Sequence, residues 1–181
     1  ISPLVEQENN IKDSLENDLE EIRDQDEASS FSLPDDVLSK GKEMMEVYYY
    51  LYAIENYIRL FLDRTFTISF GENYISRINI PQSVSKNIAG RKRSEKKNTW
   101  VRVRGDSDLF YLDFSDLNSL IINNWDSFKD FFPDQAWISS KLDELYIIRN
   151  LVAHNSYVGE HECNVLKVNF KSIVKQINIS F

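Results

Sequence analysis

The sequence predicts an all-α fold: an up-and-down bundle of about four main helices with an extra basic helical insertion. Three stretches carry that expectation. Behind the helix start Leu33-Pro34-Asp35-Asp36, residues Val37, Gly41, Met44, Tyr48, Leu51, Glu55, Ile58 and Leu62 recur at helical spacing and form one stripe. The stretch LDELYIIRNLVAHNSY, Leu142 to Tyr157, spreads Leu142, Leu145, Tyr146, Ile147, Ile148, Leu151, Val152 and Ala153 around nearly a whole helical circumference, the pattern of a buried helix. Leu166, Phe170, Ile173 and Ile177, at i, i+4, i+7 and i+11, predict a last helix that packs back on the core.

At 181 residues, 42% of them hydrophobic and 13% aromatic, the chain suits one domain with an appendage and has ample material for a core. No apolar run approaches the ~18 residues that a membrane span needs. The opening ISPLVEQENN lacks the basic and apolar regions of a signal peptide, so the expected place is the cytoplasm, with no membrane partner. Cys163 is the single cysteine, which excludes an intrachain disulfide and suits a reducing compartment. A start at Ile1 rather than Met points to a piece cut from a longer chain, with an upstream domain expected, or to a processed terminus.

The net charge of −8 is uneven: ten of the 29 acids but two of the 21 bases lie in residues 1–30, leaving nineteen of each beyond. Residues 1–33 therefore read as an acidic linker or arm and 34–181 as a neutral helical domain. Within the arm, Ile11, Leu15, Leu19 and Ile22 fall at helical spacing, either a solvated linker helix or a docking helix. After the long first helix, residues 64–81 read as a connection with a short helix near Asn73 to Ile78. Gln82 to Asn98 reads as a helix with Val84 and Ile88 as a thin apolar contact.

Outside that contact lies a basic cluster. Lys86, Arg91, Lys92, Arg93, Lys96, Lys97, Arg102 and Arg104 face one acid, Glu95, within nineteen residues. It is either a solvated face or a groove that follows a phosphate backbone, because local charge governs steering more than a pI of about 4.8 does. Trp100 at its end is expected to pack, with base stacking as the other use. The next stretch, from Asp108, reads as a short extended piece turning into a helix after Ser115-Asp116. Trp125, Phe128, Phe131, Phe132 and Trp137 are dense enough to be core.

The buried helix, expected over Gln135 to Asn155, should carry few polar groups, yet it holds Arg149, Asn150 and His154. A buried guanidinium needs a carboxylate or an anion. Glu55, standing where the first stripe wants a hydrophobe, either forms an i,i+4 pair with Arg59 or turns inward to meet Arg149.

The spacing Arg149-Asn150-x-x-x-His154, together with ENYIR (Glu55 to Arg59) and LFYLDFSDLNSLIINNW followed by FKDFFPDQAW, resembles the HEPN superfamily, in particular its Swt-type branch. The resemblance covers roughly residues 35–181. It implies an all-α domain acting as a metal-independent endoribonuclease in defence or RNA surveillance, with Arg149, Asn150 and His154 in a composite site shared by a homodimer. The alternative is a non-catalytic module of that superfamily that dimerises or binds RNA or nucleotide.

Cleaving RNA through its own 2′-OH needs a base, an acid and positive charge against the phosphorane. His154 suits either proton transfer, Arg149 can hold two phosphate oxygens, and Asn150 can orient His154 or meet the substrate. One histidine cannot conveniently be both acid and base, whereas a two-fold dimer supplies a second. Many superfamily toxins place a tyrosine two residues after the histidine; here Ser156 stands there and Tyr157, a supporting candidate, follows. In an ideal helix Arg149 and His154 diverge by about 140°, so the site requires the helix to end near His154 or Arg149 to curl back. No cofactor or metal is expected: Glu160, His161, Glu162 and Cys163 fall short of a zinc set, and there is no Gly-rich phosphate loop.

Overall fold

The computed structural model describes residues 33–177. Its α-helices are α1 (Asp35–Phe70), α2 (Gln82–Lys97), α3 (Phe114–Asn123), α4 (Gln135–Ala153) and α5 (Glu160–Ile177), with 3-10 turns at Tyr74–Ser76, Asp108–Tyr111 and Trp125–Ser127. The described residues contain no strand, and the fold is all-α as expected. None of these helices is long and apolar enough to cross a membrane. The amphipathic pattern in the acidic arm lies outside the described residues.

The chain divides into two units at Glu43, inside α1. The burial pattern gives the reason. Residues 33–43 are exposed except for half-buried Leu38, and the buried face of α1 begins at Val47. Val37, Gly41 and Tyr48 of the expected stripe are accordingly exposed.

From Val47 onward α1 buries Leu51, Ile54, Ile58, Phe61, Leu62, Thr65 and Phe66. It runs seven residues into the stretch read as a connection, because Thr65 and Phe66 continue its core face. It stops at Gly71, whose φ of 81° is open to glycine and whose N–H reaches the Thr67 carbonyl at 2.8 Å. The expected helix near residue 73 is one 3-10 turn, Tyr74–Ser76.

Phe61 and Phe66 centre the aromatic core. Phe61 meets Phe128, Phe131 and Phe132 with ring centroids 5.6, 5.0 and 5.8 Å away, and Phe66 meets Phe128 at 5.2 Å. These edge-to-face pairs bear out the expectation that the dense aromatics are core. α3 packs on α4, and α4 packs on α5. A buried amide joins the last two: Asn169 donates to Glu144 at 2.7 Å and accepts from Lys141 at 3.3 Å. Tyr50 of α1 meets Phe170 of α5 edge-on at 5.6 Å.

α4 is less buried than its composition predicts. Its core face is Ile138, Leu142, Leu145 and Ile148, whereas Ile147 is 62% exposed and Leu151 and Val152 are half-buried. The helix is apolar on more than the side that the bundle covers.

Candidate functional site

The end of α4 is shaped by its cap. Asn155 adopts φ 53°, a left-handed conformation that asparagine tolerates better than most residues. Its N–H bonds to the Val152 carbonyl at 3.0 Å, and the Ser156 N–H reaches back to Leu151 at 2.9 Å. This pair of bonds is a Schellman motif, which closes the last turn and makes His154 the C-cap. The helix therefore ends at His154, whose own N–H still bonds to the Asn150 carbonyl at 3.1 Å and so closes the last turn. His154 is exposed, with φ −99° and ψ 15°.

Arg149 and Asn150 are half-buried. Arg149 Nη1 donates to Asn150 Oδ1 at 3.3 Å, so the asparagine side chain steadies the guanidinium rather than the imidazole. Among the described residues no carboxylate is ion-paired with Arg149. Arg149 instead helps line a recess of about 230 Å³ with Tyr48, Leu51, Tyr52, Glu55, Val152 and Ala153.

Glu55 belongs to that recess, but its ion pair is elsewhere. Arg59 Nη2 donates to Glu55 Oε1 at 2.6 Å, so the i,i+4 pair forms, with both side chains mostly buried. Burial pushes the Glu55 carboxyl above its ordinary 4.5, against the pull of Arg59 and, more weakly, Arg149. Arg59 also donates to the carbonyls of Leu109 at 3.2 Å and Leu112 at 2.7 Å and to Asn56 Oδ1 at 3.1 Å. The ENYIR stretch thus clamps the segment that follows the basic region, and burial holds the Arg59 pKa below its usual value.

A second arginine clamps the same segment. Asp113, not Ser115-Asp116, caps α3: its carboxylate takes the Asp116 N–H at 3.1 Å, and Asp116 reaches back to the Asp113 N–H, a capping box. Arg91 of α2 donates to both carboxylates at 2.8 Å and to the Tyr111 carbonyl. Asn87 adds a bond to Asp116 at 2.8 Å. The piece read as extended is therefore a 3-10 turn, Asp108–Tyr111, held from two sides by arginines.

This sorts the basic cluster. Val84, Asn87, Ile88 and Arg91 share the inner face of α2, with Val84 and Ile88 buried as expected. Lys92 pairs with Asp108, and Glu95 accepts from the Tyr111 hydroxyl at 2.8 Å. Arg91 and Lys92 thus have structural employment that sequence reasoning did not foresee. Lys86, Arg93, Lys96, Lys97, Arg102 and Arg104 remain exposed, and so does Trp100, at 86%, against the expectation that it packs.

Tyr157 is 46% exposed in the loop after the cap and does not line the recess of Arg149. Tyr48 and Tyr52 do line it, and they were missed as site residues although the run YYYLY marked them. Another cavity, of about 420 Å³, lies where a plain connection was expected, beside Arg59, Asp63 and Tyr74. There the Tyr74 hydroxyl donates to Asp63 at 2.6 Å, and burial together with that carboxylate pushes its pKa up. The described residues hold no cluster of ligands that fits a metal ion. No family model matches the chain, and comparison with curated proteins and with solved structures likewise finds no match.

Proposed function

We propose that this chain is a metal-independent endoribonuclease of the HEPN type, working as a homodimer in which two copies of the α4 terminus share one cleft. The observation that carries the reading is the half-buried Arg149, steadied by Asn150 and without a carboxylate partner among the described residues, five residues before an exposed His154 that caps the same helix. A half-buried guanidinium that no carboxylate among the described residues ion-pairs, with the Glu55 of its recess already held by Arg59, is suited to an external anion, and a phosphodiester fits its fork.

In the reaction the 2′-oxygen attacks phosphorus while its proton passes to one imidazole. The bond from phosphorus to the 5′-oxygen breaks, and the leaving oxygen takes a proton from the imidazole of the other subunit. The products are a 2′,3′-cyclic phosphate and a 5′-hydroxyl. Arg149 offsets the charge that builds on the phosphorane oxygens.

The test is cleavage of a labelled RNA in the presence of EDTA. Retained activity, cyclic-phosphate ends and a drop of about 10²–10⁴-fold in His154→Ala are expected, with the thermal transition of the variant unchanged because the side chain is exposed. Dependence on a divalent ion, or a fully active His154→Ala, would remove this reading. One observation favours the alternative, a non-catalytic module that dimerises or binds RNA or nucleotide: the recess beside Arg149 is lined by Ala153 but not by His154. In that case the same assay gives binding without cleavage.

A further inference from the structure

Tyr52 lines two recesses at once. The first, described above, contains Arg149 and Tyr48; the second, about 660 Å³, is lined by Tyr52, Arg102, Val103, Arg104, Gly105 and Asp106. Tyr48 and Tyr52 are 60% and 61% exposed, and their rings stack with centroids 6.2 Å apart and planes 28° from parallel. We propose that the two recesses form one track for single-stranded RNA. A base lies on the Tyr48 and Tyr52 platform, with backbone phosphates on Arg149 at one end and on Arg102 and Arg104 at the other. The proposal rests on the reading of Arg149 as a phosphate site and names the substrate class that reaches it.

Three features support the track. Arg59, Arg91 and Lys92 spend their charge on internal carboxylates, whereas the side chains of Arg102 and Arg104 have no ion pair among the described residues. Against them the second recess holds one carboxylate, Asp106, so its balance is positive. The strap that carries these arginines is anchored. The Arg104 N–H bonds to Glu95 at 3.2 Å, and Gly105 lies so close to Phe110 that an added Cβ would be 2.5 Å from the ring.

The aromatic platform selects the strand state. Duplex RNA hides its base faces in the stack, while an unpaired base offers its face to a ring and its phosphates to flanking cations. An acidic peptide supplies the anions without a flat face, so it gains nothing from the two tyrosines.

The experiment uses the full chain and a 2′-O-methyl oligonucleotide of about eight nucleotides, which carries one 2-aminopurine and cannot be cut through its 2′-oxygen. Binding with quenching of the 2-aminopurine is expected, with the matching duplex bound at least about tenfold more weakly. Tyr52→Ala weakens binding about tenfold and loses the quenching, while Tyr52→Phe keeps both. The double variant Arg102→Gln/Arg104→Gln lowers the salt slope by about 1.4, the share of two single-strand phosphates. The track is overturned if Tyr52→Ala binds and quenches as before, if the double variant keeps its slope, or if the duplex or a poly-glutamate of equal charge binds as tightly. None of these readouts depends on cleavage. A chain that binds this way but never cuts loses the endoribonuclease reading and keeps the track; one that cuts and binds unchanged as Tyr52→Ala does the reverse.

Discussion

Arg91 shows how one side chain in a charged run is set apart from its neighbours. Its fork holds Asp113 and Asp116, and the Asp116 side chain is 7% exposed, so removing the guanidinium strands a nearly buried carboxylate. A fully buried broken pair costs about 3–5 kcal/mol; with Arg91 itself 27% exposed, Arg91→Gln is expected to cost about 2 kcal/mol in urea denaturation. Joint replacement of the exposed Lys86, Arg93, Lys96 and Lys97 by Gln is expected to move stability by no more than about 0.5 kcal/mol per site, while flattening the salt dependence of RNA binding. Equal stability losses in the two variants would remove the distinction. Glu55 gives a pH signature. Because burial raises its pKa, the folded chain keeps a proton that the unfolded chain has released between 4.5 and the raised value. Its contribution to stability is then greatest below 4.5 and falls as pH rises through the folded pKa. Glu55→Gln cannot titrate, so its unfolding free energy relative to the parent chain should climb with pH across that window and level off above it. A falling difference would mean that the ion pair with Arg59 outweighs burial.

At the scale of an element, the reversal at Asn155 decides what the Arg149 to His154 spacing means. Continued as a helix, the two side chains would point about 140° apart. The Schellman bonds from Asn155 and Ser156 end the helix at His154, whose N–H still joins the last turn through the Asn150 carbonyl, so the reversal redirects the chain only after the imidazole. Asn155→Gly should leave stability unchanged or slightly higher, since glycine occupies φ 53° freely, whereas Asn155→Ala should lose about 1 kcal/mol. Thermal unfolding of the two variants checks this, and equal values would show that the conformation carries no strain. The arginine clamps act at the same scale. Arg59 from α1 and Arg91 from α2 grip the backbone between Leu109 and Leu112, fixing a stretch whose own hydrogen bonds amount to one 3-10 turn.

At the scale of the whole molecule, the exposed apolar part of α4 bears on the proposed dimer. Ile147 is 62% exposed on a helix whose opposite face is core, and a second copy packed there would cover it. If the cleft is shared, mixing Arg149→Ala chains with His154→Ala chains should restore part of the lost cleavage, since heterodimers pair one intact Arg149 with one intact His154. The recovery should be modest, because subunits pair statistically and each mixed site still lacks one imidazole and one guanidinium. Sedimentation of the parent chain is the companion measurement: a monomer that still cleaves RNA at tens of micromolar would exclude the shared site.

Periodicity, an interaction between neighbours three and four apart, was sufficient to read the all-α class, the spans of α2 and α5, the aromatic core and the start of α4, because local spacing alone decides which side chains share a face. Arg149, Asn150, His154 and the basic cluster were visible for the same reason: polar groups stand out against an apolar or balanced background. What spacing could not decide was which partner each charge would find. Arg59 and Arg91 are drawn to carbonyls and carboxylates as many as 53 residues away, and nothing local separates them from Arg102 or Arg149. The exposure of Trp100 and Ile147, the capping by Asp113 and the shared position of Tyr52 are of that kind too. Burial and ion pairing depend on distances between segments far apart in the chain, and only the packed fold sets those distances.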